Sequence, residues 1–157
     1  MHYFISHIIK PIQKYDYTNK EDTNMTNIEK VNQFLDETNI FYFLTTDGDK
    51  PKGRPFGFHM LDDGKLYFGC GTFKNVFSQL MQNPHVEVLA VNGNEFMRYD
   101  GTVKIVKDEA LLEKVRTAMP QIMNLYDKNG WEMGMFYLEN GHAEIRGMMD
   151  LKDEFDV

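Results

Sequence analysis

A short segment between a predicted strand and a predicted helix carries the side chains with the clearest chemical potential. The first turn of a helix has backbone N–H groups without intrahelical acceptors and a partial positive charge, so it attracts anions. Lys74 adds a full positive charge there, although a cation at this position opposes the helix dipole. The segment predicts a phosphate site, and hence a nucleotide-like cofactor. Its residues are Gly69, Cys70, Gly71, Thr72, Phe73, Lys74 and Asn75.

The composition predicts one acidic globular domain. The chain has 157 residues and a formal net charge of −7, which suits a single domain without nucleic-acid partners. The apolar stretch 3–9 is interrupted by His7 and is too short to span a bilayer. The single cysteine, Cys70, forms no intrachain disulfide and favours a reducing compartment. We therefore expect a cytoplasmic protein without a membrane partner.

The folded domain is predicted to begin near Met25. Thr26 and Glu29 have the spacing of a capping box, and apolar residues follow at helical intervals. The preceding stretch 14–24 is polar and lacks a clear period. We expect residues 1–24 to form an N-terminal arm and residues 25–157 to form one domain.

Beyond this first helix the pattern is mostly that of β-strands joined by tight turns. We predict a helix after Lys74 that buries Val76, Phe77, Leu80 and Met81, and two later helices that begin near Asp108 and Pro120. Tight antiparallel connections favour a closed or partly open barrel and argue against a parallel dinucleotide-binding sheet. The predicted strands cover 40–46, 54–60, 65–69, 85–91 and 96–106, with a final hairpin of 133–138 and 142–148 around Asn140 and Gly141.

With these elements in place, the chain resembles the pyridoxamine 5′-phosphate oxidase-like family of FMN-binding split β-barrels. The similarity runs from about residue 25 to residue 149 and rests on an ordered succession of motifs. These motifs are FYFLTT at 41–46, GRPFGF at 53–58, LYFGCGTFKN at 66–75, NPHVEV at 83–88 and RYDGTV at 98–103. The resemblance implies a mainly β (α+β) fold, an antiparallel split β-barrel of about six strands with flanking helices.

The resemblance also implies that FMN lies between the two subunits of a homodimer. Phosphate contacts are then expected from Lys74, Thr72 and Asn75. From the partner subunit, Trp131 and Met133 are expected to close the flavin. Contacts to the isoalloxazine or ribityl groups are implied for two strand segments, Arg54, Pro55, Phe56 and Gly57 on one and Phe68, Gly69 and Cys70 on the other.

Two departures from the family separate this chain from the oxidase itself. The oxidase has a Ser-Arg-Lys run at the phosphate loop, where this chain has Phe73-Lys74-Asn75 and therefore one cation fewer. The Arg- and Trp-rich C-terminal segment of the oxidase is not matched either. Vitamin B6 oxidation is therefore not expected, and the similarity is closer to small members and to the nitroimidazole-resistance type.

Individual residues keep alternative interpretations at this stage. Arg54 could pair with Asp47 or Asp49 instead of meeting a flavin. Cys70 is expected to be a small buried apolar residue, since no histidine and aspartate are placed with it. The five histidines lack metal-ligand spacing, so no metal site is expected. No catalytic acid or base is assigned.

The resulting hypothesis is a homodimeric FMN-binding oxidoreductase that acts on a small molecule. One form of it is an NAD(P)H-dependent reductase of a small quinone or nitroaromatic. A non-catalytic flavin-binding or flavin-sensing protein is the first alternative, and a haem-binding split barrel is the second.

Overall fold

A computed structural model describes residues 24–38 and 40–157, and the predicted arm lies outside these residues except for Asn24. None of the helices in this part of the chain is long and apolar enough to cross a membrane. The elements are α1 (Asn27–Asp36), β1 (Phe41–Asp47), β2 (Lys50–Phe56), β3 (His59–Asp62), β4 (Lys65–Gly71), α2 (Asn75–Gln82), β5 (His85–Asn92), β6 (Glu95–Val106), α3 (Glu109–Ala118), α4 (Pro120–Asn129), β7 (Met133–Gly147) and β8 (Leu151–Asp156).

Local capping defines where three of the helices begin. At α1 the backbone N–H of Thr26 donates to the Glu29 carboxylate at 2.7 Å, while the Thr26 hydroxyl accepts from the Glu29 N–H, which completes the predicted capping box. At α3 the Asp108 carboxylate accepts from the N–H of Ala110 at 2.9 Å. Pro120 is the first residue of α4, as predicted.

The strands form one antiparallel sheet that rolls up around phenylalanine side chains. The strand order is β2-β1-β5-β6-β7-β4-β3, and β8 adds to β7. Three strands separate β1 from β4, yet the ring of Phe43 in β1 lies 5.5 Å from that of Phe68 in β4 and 5.5 Å from that of Phe136 in β7. The edge strands β2 and β3 do not pair with each other. This arrangement confirms the antiparallel split barrel of the α+β class, with eight strands where about six were predicted.

The single strand predicted over 54–60 is wrong. β2 begins at Lys50 and ends at Phe56, and β3 begins at His59. The segment left between the predicted strands 40–46 and 54–60 is mostly strand and contains only a tight turn, because Gly48 adopts a φ of +63° and Asp47 pairs with Lys50. The alternation of side chains continues through this region. The side-chain pattern therefore does not reveal that the chain stops pairing with β1 at the end of β2 and pairs with β4 from β3 onward.

The final hairpin predicted around Asn140 and Gly141 is also wrong. β7 is one continuous strand that pairs with β6 over most of its length. Asn140 has a φ of +52°, and the β6–β7 register shifts between Asp100 and Thr102. A bulge therefore stands where the turn-like sequence predicted a reversal. The strand β8 was not predicted.

The helix α2 covers one end of the barrel. Val76 and Leu80 are buried as predicted, but Met81 is 62% exposed, so its predicted burial is wrong. The polar residue Gln79 is buried in its place. A second apolar cluster joins the opposite face of β4 and β7 to α3 and α4 and contains Tyr67, Met133, Met135, Leu111, Val115, Met123 and Tyr126.

His142 connects β8 to β7. Its Nδ1 lies 2.9 Å from an oxygen of Asp156 and its Nε2 lies 3.1 Å from an oxygen of Glu154. The hydrogen bond to Asp156 is the largest cause that raises the pKa of His142, followed by the bond to Glu154, with desolvation acting in the opposite direction.

We predict that this contact makes stability depend on pH. A raised pKa in the folded state gives stabilisation that is complete below the unfolded-state pKa of about 6.5 and is lost as the pH rises through the folded-state pKa. Between about pH 6 and pH 9, the free energy of unfolding in urea should fall more for the wild type than for His142→Gln. His85→Gln, at an exposed histidine of β5, is the control and should follow the wild type. If the free energy of unfolding depends on pH identically in the wild type and in His142→Gln, this role of the His142 contact is wrong.

Candidate functional site

The candidate site lies at the split between β2 and β3. The predicted strand over 65–69 extends two residues further, so that Gly69 and Gly71 both belong to the end of β4. β3 starts at His59, opposite Phe68, so beyond Phe68 β4 pairs only with β7 among the described strands. A Cβ on Gly69 would lie 3.6 Å from the Phe58 ring. The two strand segments that were expected to face a cofactor therefore come together at this split, with one edge of β4 unpaired.

Arg54 lies in a polar cluster that joins β2 to β1 and α2. Its Nη1 donates to the Thr45 hydroxyl at 2.7 Å and to the Phe43 carbonyl at 3.0 Å. Its Nη2 donates to the side-chain oxygen of Gln79 at 2.7 Å, and the Thr45 hydroxyl donates to the same oxygen at 2.6 Å. Thr45 and Gln79 are both buried. One guanidinium thus fixes the position of α2 over the barrel end.

The positive charge of Arg54 lacks a carboxylate partner in residues 24–38 and 40–157. Pairing with Asp47 or Asp49 is not observed, and each of its acceptors is neutral. Desolvation is the main cause that lowers the pKa of the Arg54 guanidinium. Its Nε–H and one Nη2–H also donate to no atom of these residues. A half-buried cation in this state is stabilised by an anion from outside the chain.

The N-terminus of α2 supplies a second positive feature. Lys74 is the N-cap residue, and no side chain caps the helix. The backbone N–H groups of Asn75 and Val76 make no hydrogen bond to other described residues, and the first turn holds no acidic side chain. The exposed Lys74 forms no ion pair within the described part of the chain. This terminus therefore has the donors and the charge that the sequence predicted for an anion site.

The Cys70 thiol is within electrostatic range of both cations but is not available for covalent chemistry. Its side chain is buried in the barrel core. Burial raises the pKa of the Cys70 thiol to about 11, although the charges of Lys74 and Arg54 each act to lower it. The thiol is therefore protonated near neutral pH and is a poor nucleophile, as expected from the sequence. Because both charges act on the pKa of this one thiol, Arg54 and Lys74 contribute to the electrostatic potential of the same small region.

The other predicted cofactor residues differ in how accessible their side chains are to a ligand. Phe68 is fully buried, and Phe56 stacks on Phe43 with ring centroids 5.0 Å apart, so both side chains belong to the core. A ligand at the split could meet these segments mainly through their backbone. Pro55 and Gly57 are exposed on β2 and just beyond it, and Thr72 is half-buried.

Trp131 and Met133 pack within their own subunit. The Trp131 ring lies 4.7 Å from that of Phe73, next to Lys74. Met133 is buried against β4, where its sulfur would lie 3.1 Å from a Cβ on Gly69. Its burial leaves little of Met133 for a flavin on a partner subunit. Trp131 is partly exposed and stays a predicted contact.

Sequence reasoning missed Thr45 and Gln79, and it assigned no role of its own to Phe73. Thr45 follows Phe41 and Phe43 on the inward face of β1, and Gln79 interrupts the buried face of α2. A polar side chain at a core-facing position was the available signal, because such a group needs a hydrogen-bond partner.

One group of metal-ligand side chains occurs among the described residues. His142, Glu144 and Glu154 on β7 and β8 place one ligand atom each within 4.8 Å of the others. The absence of a resident metal stays a prediction.

Comparison with known proteins gives a consistent picture. The family model described as pyridoxamine 5′-phosphate oxidase matches residues 28–144. Among solved structures, a NimC/NimA family protein from Clostridium acetobutylicum is 29% identical, with a TM-score of 0.76 over 85% of this chain and 95% of the other. No curated protein matches the sequence significantly.

Two further solved structures share the fold at lower identity. A pyridoxamine 5′-phosphate oxidase-related, FMN-binding protein from Nostoc punctiforme is 15% identical, with a TM-score of 0.59 over 84% of this chain and 90% of the other. A haem-binding protein from Mycobacterium smegmatis is 12% identical, with a TM-score of 0.63 over 84% of this chain and 58% of the other. At these identities the likeness shows the fold alone.

We predict that Gln79 holds the polar cluster together. Gln79→Leu removes the acceptor shared by Arg54 and Thr45 and should lower the free energy of unfolding by about 1–3 kcal/mol. Gln82→Leu, on the exposed side of the same helix, is the matched control and should change it little. Urea denaturation of both variants is the measurement. Equal effects of the two substitutions would contradict the role of the cluster.

Proposed function

This chain belongs to the pyridoxamine 5′-phosphate oxidase family, and we propose that it binds FMN and acts as a flavin-dependent oxidoreductase. The observation that carries the proposal is that two cations and a helix N-terminus occur together at one end of the split. Arg54 and Lys74 are cations without carboxylate partners among the described residues, and the N-terminus of α2 is uncapped beside them. This combination fits an anionic group bound at the split.

The residues present suit the phosphate of FMN. A phosphomonoester carries about −1.5 to −2 charges at neutral pH and has three strong acceptor oxygens. Lys74 and the N–H groups of Asn75 and Val76 would hold this group, with Thr72 next to it. Arg54 would add its two unused N–H donors and its charge.

The unpaired edge of β4 suits the rest of the cofactor. From Gly69 to Gly71 its backbone offers hydrogen-bonding groups at the split. The flavin, when bound, supplies hydride and electron transfer. The chain would position the ring and shield it from water.

The proposed substrate is a small planar electron acceptor, with NAD(P)H as the electron donor. The resemblance to the nitroimidazole-resistance type favours a quinone or a nitroaromatic over a B6 vitamer. The buried Cys70 thiol, with its raised pKa, is not a candidate for covalent chemistry. The proposal therefore assigns the redox step to the flavin and binding to the chain.

A homodimer with the flavin at its interface completes the proposal. The outer face of β1 and β5 carries exposed apolar side chains, since Tyr42 stands opposite Leu89 and both Tyr42 and Val91 are exposed, and the Arg98–Glu87 ion pair lies beside them. Apolar groups next to an ion pair on one sheet face suit burial against a second copy. The proposed location is the cytoplasm.

A non-catalytic flavin-binding protein is the second candidate. The observation that favours it is that the titratable side chains near the split are engaged within the chain: the Cys70 thiol is buried in the core, and the Nε2 of His59, at the start of β3, lies 3.1 Å from the Asp36 carboxylate. The experiment on reduction below separates the two candidates.

We predict that Lys74→Ala weakens FMN binding by about 1–3 kcal/mol, because a charge-assisted hydrogen bond to the phosphate is lost. Isothermal titration of the full chain with FMN measures this change. Lys152→Ala, on β8 in a surface ion pair with Asp150, is the matched control and should bind FMN like the wild type. The phosphate site is wrong if both lysine variants keep wild-type affinity.

We predict that NAD(P)H bleaches the visible absorbance of the FMN-loaded protein at least about tenfold faster than that of free FMN, as expected when the reactants are held together. Anaerobic stopped-flow spectroscopy is the measurement. Bleaching at the rate of free FMN would favour the non-catalytic candidate. Failure to retain FMN would contradict both.

A further inference from the structure

Two partly exposed aromatic rings lie beside the anion site. Phe73 is 52% exposed and Trp131 is 40% exposed, and their centroids are 4.7 Å apart. The Trp131 ring also contacts Tyr126 edge-on at 5.7 Å. We call Phe73 and Trp131 the aromatic platform. Phe73 directly precedes Lys74 in the sequence.

The backbone holds the aromatic platform in place. The N–H of Thr72 donates to the carbonyl of Glu132 at 3.0 Å, which joins the loop before α2 to the loop before β7. A Cβ on Gly71 would lie 2.5 Å from the Phe73 ring, so only glycine allows this ring to lie against β4. The platform is therefore part of the folded chain and adjoins Lys74.

Rings of this kind bind flat heteroaromatic groups. A nucleobase stacks on exposed aromatic side chains through its π-face, and the contact is tolerant of base identity. Phe73 offers a ring on which a base can stack, and the adjacent Lys74 offers a cation for a phosphate. A ligand that carries a nucleobase close to its phosphate fits this order.

We infer that the aromatic platform is an adenine subsite, and that the flavin site therefore takes FAD more tightly than FMN. The inference rests on the flavin site proposed above and extends it from the phosphate to the adenosine. Lys74 and the N-terminus of α2 bind the pyrophosphate, and the adenine stacks on Phe73 and Trp131.

The test compares FMN and FAD by isothermal titration of the full chain and its variants. The wild type should bind FAD about tenfold more tightly than FMN, the scale of one base–aromatic stack. Phe73→Leu should abolish this preference and leave FMN affinity within about twofold of the wild type, and Trp131→Leu should weaken FAD binding more than FMN binding. Trp131→Phe keeps an aromatic ring and should retain most of the preference.

A second readout uses the wild type alone. Trp131 is the only tryptophan of the chain, so intrinsic tryptophan fluorescence reports on the platform. ADP, which lacks the flavin ring, should change this fluorescence, and FAD should displace ADP more effectively than FMN does.

The outcomes separate this inference from the proposed function. FMN binding with no FAD preference, or a preference that persists in both leucine variants, overturns the adenine subsite and leaves the flavin site intact. ADP binding without any fluorescence change also overturns it. If neither flavin binds, the proposed function fails and the subsite fails with it.

Discussion

The guanidinium of Arg54 is the interaction on which the candidate site depends. It extends from β2 to the backbone and hydroxyl of β1 and to Gln79 of α2. These bonds hold α2 over the barrel end, and the position of its N-terminus follows from them. Because all the acceptors are neutral, the charge of Arg54 stays uncompensated within the described residues. The same contact therefore orders the fold locally and leaves a positive field at the split.

Much of the fold could be predicted because its signals are local. Capping at Thr26 and Asp108 and the start of α4 at Pro120 each depend on a few neighbouring residues. The errors arose where a strand changes partner without changing its side-chain pattern, as it does near Gly57. The turn-like pair at Asn140 became a bulge because β6 continues to pair with β7 on both sides of it. Such pairing depends on residues distant in sequence.

The candidate site, like the fold, could be predicted from the sequence only where its signals are local. Lys74 and its helix could be placed from the sequence, since a strand, a glycine segment and an amphipathic helix adjoin one another. The partners of Arg54 could not, because Thr45 and Gln79 lie far from it in sequence and from each other. The aromatic platform depends on contact between the loops before α2 and β7. Only the folded chain brings Phe73 and Trp131 together.

The central claim is that the split holds one flavin per subunit between two copies of the chain. Native mass spectrometry of the full chain mixed with FMN tests it most directly, because it reports assembly and bound ligand in one spectrum. The account predicts a dimer that carries one flavin for each subunit, with little flavin on any monomer. A chain that takes up no flavin in any assembly state, or that binds haem and refuses FMN, would contradict it.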